Sequence, residues 1–328
     1  MARRVWASVA ALVIVALGLT VGSSAVAAAP KVTAGSKSPA VKSSAARLGS
    51  GGVRLSGRLD GSGRLPAMRP LPKKSAGSTA VPAGNPRQGV WYTDPFTIQP
   101  GAWSDAYVLC PAGMLATGGG ESNTSAAGVR LHDTHAWRDG SGWEVRVTNV
   151  SASASTYQVY AVCWSGLTSY TQVTATQNIS ADDYSGVGAD CPRGMSVYGG
   201  GGWTDRTDVP VSWWMYVDVG YGFSSMNMLV GRGSGSGTIT AQAVCGTGIN
   251  NYQSAGARDD NVHPGVYESL TANCPSGTFV TGGAVGADMR APEWVTDSYP
   301  PFSQGWKAYF KNDGSSDSYA DVAVLCGT

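Results

Sequence analysis

Six cysteines are the residues whose number and spacing best define chemistry in this 328-residue chain. Three of them open nearly the same phrase, Cys-Pro-x-Gly, followed by a glycine run. Each repeat then closes on a second cysteine, 53, 54 or 52 residues after the first. The opening cysteines are Cys110, Cys191 and Cys274, and the closing ones are Cys163, Cys245 and Cys326. In an exported chain, matched pairs of this kind predict disulfides.

The repetition also favours one set of pairings among the 15 that six cysteines allow. Pairing within each repeat gives Cys110–Cys163, Cys191–Cys245 and Cys274–Cys326. Loops of about 50 residues, once closed, would each stabilise the fold by roughly 3–4 kcal/mol in the chain-entropy model. A zinc site is not favoured, because the sequence has no Cys-x-x-Cys pair.

Histidine and carboxylate patterns give little support for catalysis. His132 and His135 are the one local histidine cluster, and on a strand they would face opposite sides. We therefore interpret them as surface-loop residues. The four glutamates do not recur at equivalent places: Glu121, Glu144, Glu268 and Glu293. We predict no catalytic residue, no metal site and no cofactor, and a protein that is not an enzyme.

The elements that position these residues are predicted to be β-strands. Apolar and polar residues alternate in segments such as 143–147 and 306–310, and no segment predicts an amphipathic helix. The repeated landmarks indicate three pseudo-equivalent, disulfide-stapled β repeats at residues 89–170, 171–250 and 251–328. The predicted fold class is all-β and pseudo-threefold. The glycine runs predict places where a strand bends or another backbone approaches closely.

The N-terminal region predicts export. Arg3 and Arg4 precede a short apolar segment and then small residues, which is typical of a secretory signal peptide over residues 1–29. No later segment is apolar enough to cross a membrane. We expect a secreted, extracellular protein.

Residues 30–88 form a basic arm of low apolar content, which we expect to be disordered by itself. From residue 30 to 87 there are eleven Lys/Arg and one acid, a net charge of +10. From residue 88 to 328 there are ten Lys/Arg and 21 Asp/Glu, a net charge of −11. A basic arm on an acidic body either binds a partner or lies on its own body.

Recurrent Arg-Leu pairs make the arm more than a spacer. Leucine can fill a pocket while arginine supplies a charge-assisted hydrogen bond, so the segment would become ordered on contact with a partner protein. An inert tether is the alternative. The predicted partner-binding residues are Arg54, Leu55, Arg58, Leu59, Arg64, Leu65, Arg69 and Leu71.

Three functions remain open at this point. The first is an interaction protein whose extended arm docks in a partner's cleft. The second is a lectin or cell-wall-binding module, although Trp137, Trp213 and Trp294 lie in differing contexts in the three repeats. The third is a protein like a protease inhibitor, because Arg-Leu peptides fit trypsin-like clefts. An exported protein with an acidic body is not expected to bind nucleic acid.

The Cys-Pro-x-Gly…Gly-Gly…Ala-Val-Cys unit resembles a repeat of secreted actinobacterial proteins. The plan of signal, arm and stapled β body is similar to the adaptor subunit of Streptomyces-type umbrella toxin particles. This resemblance implies a non-catalytic linker whose arm, around Arg54 to Leu71, enters the cleft of a trypsin-like domain on a lectin-bearing subunit. It further implies that the body holds a large repeat-containing toxin subunit and that the particle acts against competing bacteria.

Overall fold

The computed structural model describes residues 47–59, 64–65, 87–123, 128–137, 139–209, 211–218, 223–231, 233–288 and 293–328. The predicted signal peptide lies outside these residues, as do Arg69 and Leu71 of the arm. All regular secondary structure in the described part is β-strand, which confirms the all-β class. It contains no helix of the length and apolarity that a bilayer crossing requires.

The arm and the first repeat supply nine strands. The arm gives β1 (Arg47–Leu48) and β2 (Gly51–Arg58). The first repeat gives β3 (Arg87–Tyr92), β4 (Phe96–Ile98), β5 (Ala102–Leu109), β6 (Leu115–Asn123), β7 (Val129–Ala136), β8 (Gly142–Asn149) and β9 (Ser155–Ser165).

The second and third repeats supply six strands each. The second has β10 (Ser169–Ile179), β11 (Ser185–Asp190), β12 (Ser196–Thr204), β13 (Val211–Asp218), β14 (Phe223–Val230) and β15 (Gly237–Thr247). The third has β16 (Gln253–Val262), β17 (Tyr267–Asn273), β18 (Phe279–Ala287), β19 (Glu293–Phe302), β20 (Gly305–Asn312) and β21 (Ser318–Gly327).

The strands form three sheets, and each repeat divides its strands between two of them. The first sheet has the order β1-β3-β9-β6-β19-β20-β17, with β4 also paired to β9. The second has the order β10-β15-β12-β7-β8-β5-β2, and the third β11-β14-β13-β18-β21-β16. Each sheet therefore joins three strands of one repeat to three or four of another, so the repeats share their sheets and core.

The three disulfides are Cys110–Cys163, Cys191–Cys245 and Cys274–Cys326, the pairings that the repetition favours. Each opening cysteine follows the last residue of β5, β11 or β17, and each closing cysteine lies in β9, β15 or β21. The two strands belong to different sheets in every case. Each bond therefore links two sheets covalently and lowers the conformational entropy of the unfolded chain.

The glycines eight residues after the opening cysteines meet one another. An added Cβ on Gly118 would lie 2.6 Å from the Cα of Gly282, and one on Gly282 would lie 2.7 Å from the Cα of Gly199. An added Cβ on Gly199 would lie 2.2 Å from the carbonyl oxygen of Thr117. Only glycine allows three backbones to approach so closely. The expected close approach of another backbone is confirmed, with the three repeats as the approaching parts.

Hydrogen bonds extend this contact between repeats. The Thr117 hydroxyl donates to the carbonyl of Thr281 at 2.6 Å, and the Thr281 hydroxyl donates to the carbonyl of Tyr198 at 2.8 Å. Each of the three residues is the extra residue of a β-bulge, between positions such as Ala116 and Gly118. The bulges turn backbone carbonyls toward the neighbouring repeat. The conserved spacing within the sequence repeats thus fixes the centre of the fold.

Candidate binding surfaces

Part of the arm is an added strand on the body. β2 pairs antiparallel with β5 along the outer edge of the second sheet, from Gly51 opposite Val108 to Arg58 opposite Ala102. The arm was expected to be disordered by itself, and this segment of it is ordered by pairing with the body, which is the alternative in which the arm lies on its own body. The unpaired N–H and C=O groups of an edge strand offer hydrogen bonds to any extended chain, so the arm orders with little apolar surface of its own.

The side chains of the arm contact the body unevenly. Leu65 is only 4% exposed, and its N–H donates to the Asp205 carbonyl at 2.8 Å. Arg64 donates to the carbonyl of Ser236 at 3.0 Å and lies 3.7 Å from the Asp205 carboxylate. The Val53 side chain is 46% exposed. The segment is therefore held by backbone bonds and by a few anchors such as Leu65.

The other predicted arm residues show the same pattern. Leu55 and Leu59 are half-buried and Arg58 is exposed. The side chain of Arg54 lies outside the described part of the structure. In this conformation Arg58 is exposed to a partner, while Leu55 and Leu59 are partly covered by the body.

Beside the docked arm lies a buried charge cluster, formed by three residues in register on β5, β8 and β7. Arg146 donates two hydrogen bonds to Asp105, through Nε to Oδ1 and through Nη2 to Oδ2, the second at 2.8 Å. Its Nε is also 3.3 Å from Oδ2 of Asp133. All three side chains are at most 2% exposed. They therefore act on one another and not on a dissolved substrate.

The pKa values of this cluster follow from burial and from the pairing. Burial raises the pKa of Asp133 to about 7, against the lowering effect of Arg146 and of the Thr204 N–H that donates to it. Burial also opposes the charge of Arg146, but Asp133 and Asp105 outweigh it and hold the pKa of the guanidinium above its usual value. Sequence reasoning missed the cluster, because alternation shows which residues of β8 share a face but not that Asp105 and Asp133 lie opposite Arg146 on the two neighbouring strands.

The two neighbouring histidines lie on β7, which corrects the surface-loop interpretation. His132 is fully buried at a bulge, and its Nε2 contacts the Thr148 hydroxyl at 2.8 Å. Burial lowers the pKa of His132 to about 3. His135 is 7% exposed, with its ring 5.0 Å from that of Trp203 and its Nε2 3.9 Å from Glu144. Among the described residues no group of three or more His, Cys, Asp or Glu is placed to hold a metal.

A second pair of carboxyl groups is buried where the first and third repeats meet. Glu121 on β6 is 0% exposed and Asp297 on β19 is 1% exposed. Tyr267 donates to Asp297 Oδ2 at 2.9 Å, and the backbone N–H of Asn123 donates to Oδ1. Burial and the charge of Asp297 hold the pKa of Glu121 well above its ordinary value, while burial raises that of Asp297 to about 6. Both groups therefore lie inside the protein, closed to solvent.

Glu293 allows a test of how a buried carboxyl group affects the pH dependence of stability. It is 0% exposed, its Oε2 accepts the N–H of Asp288 at 3.1 Å, and burial raises its pKa to about 7. Between its unfolded pKa near 4.5 and its folded pKa, the folded state keeps a proton that the unfolded state has lost. Stability therefore falls as pH rises through this window. We expect the urea midpoint of unfolding to fall less steeply between pH 4.5 and 7.5 in Glu293→Gln, and Glu268→Gln, at a half-buried glutamate of β17, is the control. An equal pH slope in both variants would contradict this origin.

The outer face of the first sheet carries a row of half-buried tyrosines. Tyr92 and Tyr160 stack with ring centroids 5.7 Å apart, and Tyr267 and Tyr309 stack at 5.2 Å. Tyr160 and Tyr299 meet at 5.0 Å from strands on either side of β6. We call this surface the tyrosine face; it comprises Tyr92, Tyr160, Tyr267, Tyr299 and Tyr309, with Lys307 and Lys311.

The ring geometry decides what the tyrosine face can contact. The stacked centroids are separated by little more than the ~4.8 Å between neighbouring strands, so these rings stand side by side and face each other. One face of each stacked ring is therefore used within the row, and the Tyr267 hydroxyl is bonded to Asp297. Lys307 and Lys311 are the sole lysines after residue 88, and Lys307 Nζ lies 4.5 Å from the Tyr309 ring. The face is therefore rich in hydrogen-bond donors on an otherwise acidic body.

The tryptophans that suggested sugar sites lie elsewhere. Trp213 is 2% exposed and Trp294 is 6% exposed, with the Arg130 guanidinium 3.8 Å from the Trp294 ring centroid. Trp137 packs on Tyr107 at 4.8 Å and donates to Glu144 at 3.0 Å. Their ring faces are occupied by the protein itself. They do not form three equivalent aromatic sites.

No protein-family model matches the chain, and no curated protein matches its sequence. The class that the fold itself defines is an all-β protein of three repeats. Each repeat contains its own disulfide, and the repeats share three sheets. Three disulfides indicate an extracellular or exported protein.

Proposed function

We propose that this protein is a secreted, non-enzymatic adaptor that binds one protein through its N-terminal arm and a second through the tyrosine face. The observation that carries the proposal is β2, an arm segment that lies extended along a sheet edge. An extended strand held by backbone hydrogen bonds is the form in which a peptide docks in a partner's cleft. The arm therefore has a conformation ready for exchange between the body and a partner.

The composition of β2 favours its release. Three of its eight residues are glycine, at positions 51, 52 and 57, which weakens a strand. Val53 and Arg58 remain exposed and contribute little to holding it on the body. A partner cleft that offers acidic and apolar pockets would gain contacts that the body does not supply. A trypsin-like domain fits this description, because its cleft takes an arginine in an acidic pocket; this is also the partner that the umbrella-particle resemblance implies.

The tyrosine face supports the second attachment point. Tyrosine is enriched at the centres of protein interfaces, where a rigid ring and a hydroxyl act together. The donor-rich hydroxyls and two lysines suit a protein surface with carboxylates. Stacking of a pyranose needs an open ring face, and the stacked pairs already use one face of each ring, so the lectin alternative has less support. A large toxin subunit would take this place if the resemblance holds.

A disulfide clamp tests the arm. The variant Ser56→Cys/Ser104→Cys would tie β2 to β5, because these two residues are opposite in the strand register. The control without the bond is Ser56→Ala/Ser104→Ala, which removes the same two hydroxyls. We expect the purified protein to capture one protein from culture supernatant. Capture should fall at least tenfold in the clamped variant and persist in the alanine control. Equal capture by the clamped variant would refute release of the arm.

Hydroxyl deletion tests the tyrosine face in the same capture assay. The variant Tyr299→Phe/Tyr309→Phe removes two hydroxyls and keeps the rings. We expect it to weaken the capture of a second protein while the capture of the arm's partner is retained. Tyr252→Phe, just before β16, also removes one hydroxyl and lies in neither proposed surface, so it is the control. Loss of both partners, or of neither, would contradict two separate attachment points.

A further inference from the structure

The three sheets have equivalent outer edges, of which one is covered. β5, β11 and β17 each end one residue before an opening cysteine, and the order of strands places each at the same position in its sheet. β2 covers β5, whereas no described strand pairs with the outer side of β11 or β17. The fold therefore shows that this type of edge accepts an extended, basic strand, and it leaves two further edges of the same type.

The β11 edge has features that suit a peptide. Gly186 and Gly188 are exposed on it, and glycine lets another backbone approach closely. A pocket of about 310 Å³ lies beside the strand, with apolar walls that include Leu229, Val230 and Ala287. The Leu229 side chain lies over Gly186, since a Cβ added to that glycine would be 2.5 Å from Cδ2 of the leucine.

Acidic residues surround this edge. Asp182 and Asp183 are exposed directly before β11, and Asp190 is exposed at its end. Asp288 lines the pocket. Arg258, whose guanidinium lies 4.4 Å from the Tyr319 ring at the pocket rim, is already paired with Asp260 and Asp321. The surroundings therefore favour a positively charged partner.

We propose that the β11 edge binds an extended basic segment of a partner protein, which adds a strand to the third sheet. A leucine-sized side chain of that segment enters the pocket beside Leu229, and its arginines or lysines pair with the acids at the two ends of the strand. This site is separate from the arm and from the tyrosine face, and it adds a third attachment point to the adaptor. Backbone hydrogen bonds supply much of the affinity, and the alternate side chains select the sequence.

A labelled peptide provides the probe. A synthetic peptide of residues 49–59, Gly-Ser-Gly-Gly-Val-Arg-Leu-Ser-Gly-Arg-Leu, is the strand that the equivalent edge accepts. It is titrated by fluorescence anisotropy into the Ser56→Cys/Ser104→Cys protein, in which the protein's own arm stays on β5 and cannot be displaced. We expect saturable binding to this clamped protein. Absence of binding would overturn the proposal.

Two variants of the clamped protein locate the site. Leu229→Asp places a charge in the pocket and should lower the affinity for the peptide at least tenfold. Leu270→Asp, on the β17 edge, is the matched control and should bind as the clamped parent does. A peptide with both arginines replaced by glutamate should bind at least tenfold more weakly. Equal affinity for Leu229→Asp and the parent, or stronger loss with Leu270→Asp, would overturn the assignment to β11.

Discussion

Replacing Gly282 with alanine is expected to destabilise the protein by at least about 3 kcal/mol, or to prevent folding. The new Cβ would lie 2.5 Å from the carbonyl oxygen of Tyr198 and 2.7 Å from the Cα of Gly199. These contacts are with backbone atoms, which cannot rotate away as a flexible side chain can. Relief would require two repeats to separate at the centre of the fold. Urea unfolding followed by tryptophan fluorescence measures the loss.

The control for this substitution is Gly256→Ala on β16. An added Cβ there has one neighbour within 4 Å, the Val322 carbonyl oxygen at 3.3 Å. We expect it to change stability by less than about 1 kcal/mol. Gly118→Ala should behave as Gly282→Ala does, because its Cβ would lie 2.6 Å from the Gly282 Cα. Equal stability of Gly282→Ala and Gly256→Ala would show that the three-glycine contact is looser than described.

Replacing Arg146 with methionine is expected to cost about 3–5 kcal/mol, since it leaves buried carboxylates without their cation. Asp105 loses two hydrogen bonds and Asp133 loses the ion pair at 3.3 Å. Methionine keeps much of the side-chain volume, so the loss reports charge more than packing. The free energy of unfolding at pH 7.5 is the measurement.

Two comparisons separate charge from packing in this cluster. Arg258→Met breaks ion pairs of a half-exposed arginine, 49% exposed, and should cost less than about 1 kcal/mol. Adding Asp105→Asn and Asp133→Asn to Arg146→Met removes the unpaired charges and should recover at least half of the loss. Failure of this rescue would mean that Arg146 acts mainly by filling space.

Much of the fold could be predicted from the repeated cysteines and glycines. The paired cysteines indicated within-repeat disulfides, because each pair recurs at nearly the same separation. The glycine runs indicated close backbone approach for the same reason. What the landmarks left open was the identity of the approaching backbone, since a single repeat contains no sign that Gly118, Gly199 and Gly282 meet.

The binding surfaces were less visible in the sequence. Period-two alternation tells which residues share a face of one strand, but not what covers that face. It gave no sign of the carboxylates that lie opposite Arg146, and His132 and His135 were assigned to a loop. The low apolar content of the arm indicated disorder, because this reasoning counted side chains and not the unpaired backbone of β5.

The sequence by itself determined an all-β protein with three cystine-linked units and a basic arm, because these properties follow from composition and local spacing. Only the tertiary structure decided the tyrosine face, whose members Tyr92, Tyr160 and Tyr299 come from strands far apart along the chain. It also decided the docking of β2 and the position of β11 at the end of its sheet, where no described strand pairs with its outer side. The physical reason is that each sheet is completed by strands of two repeats, so every surface depends on a pairing that no local pattern specifies.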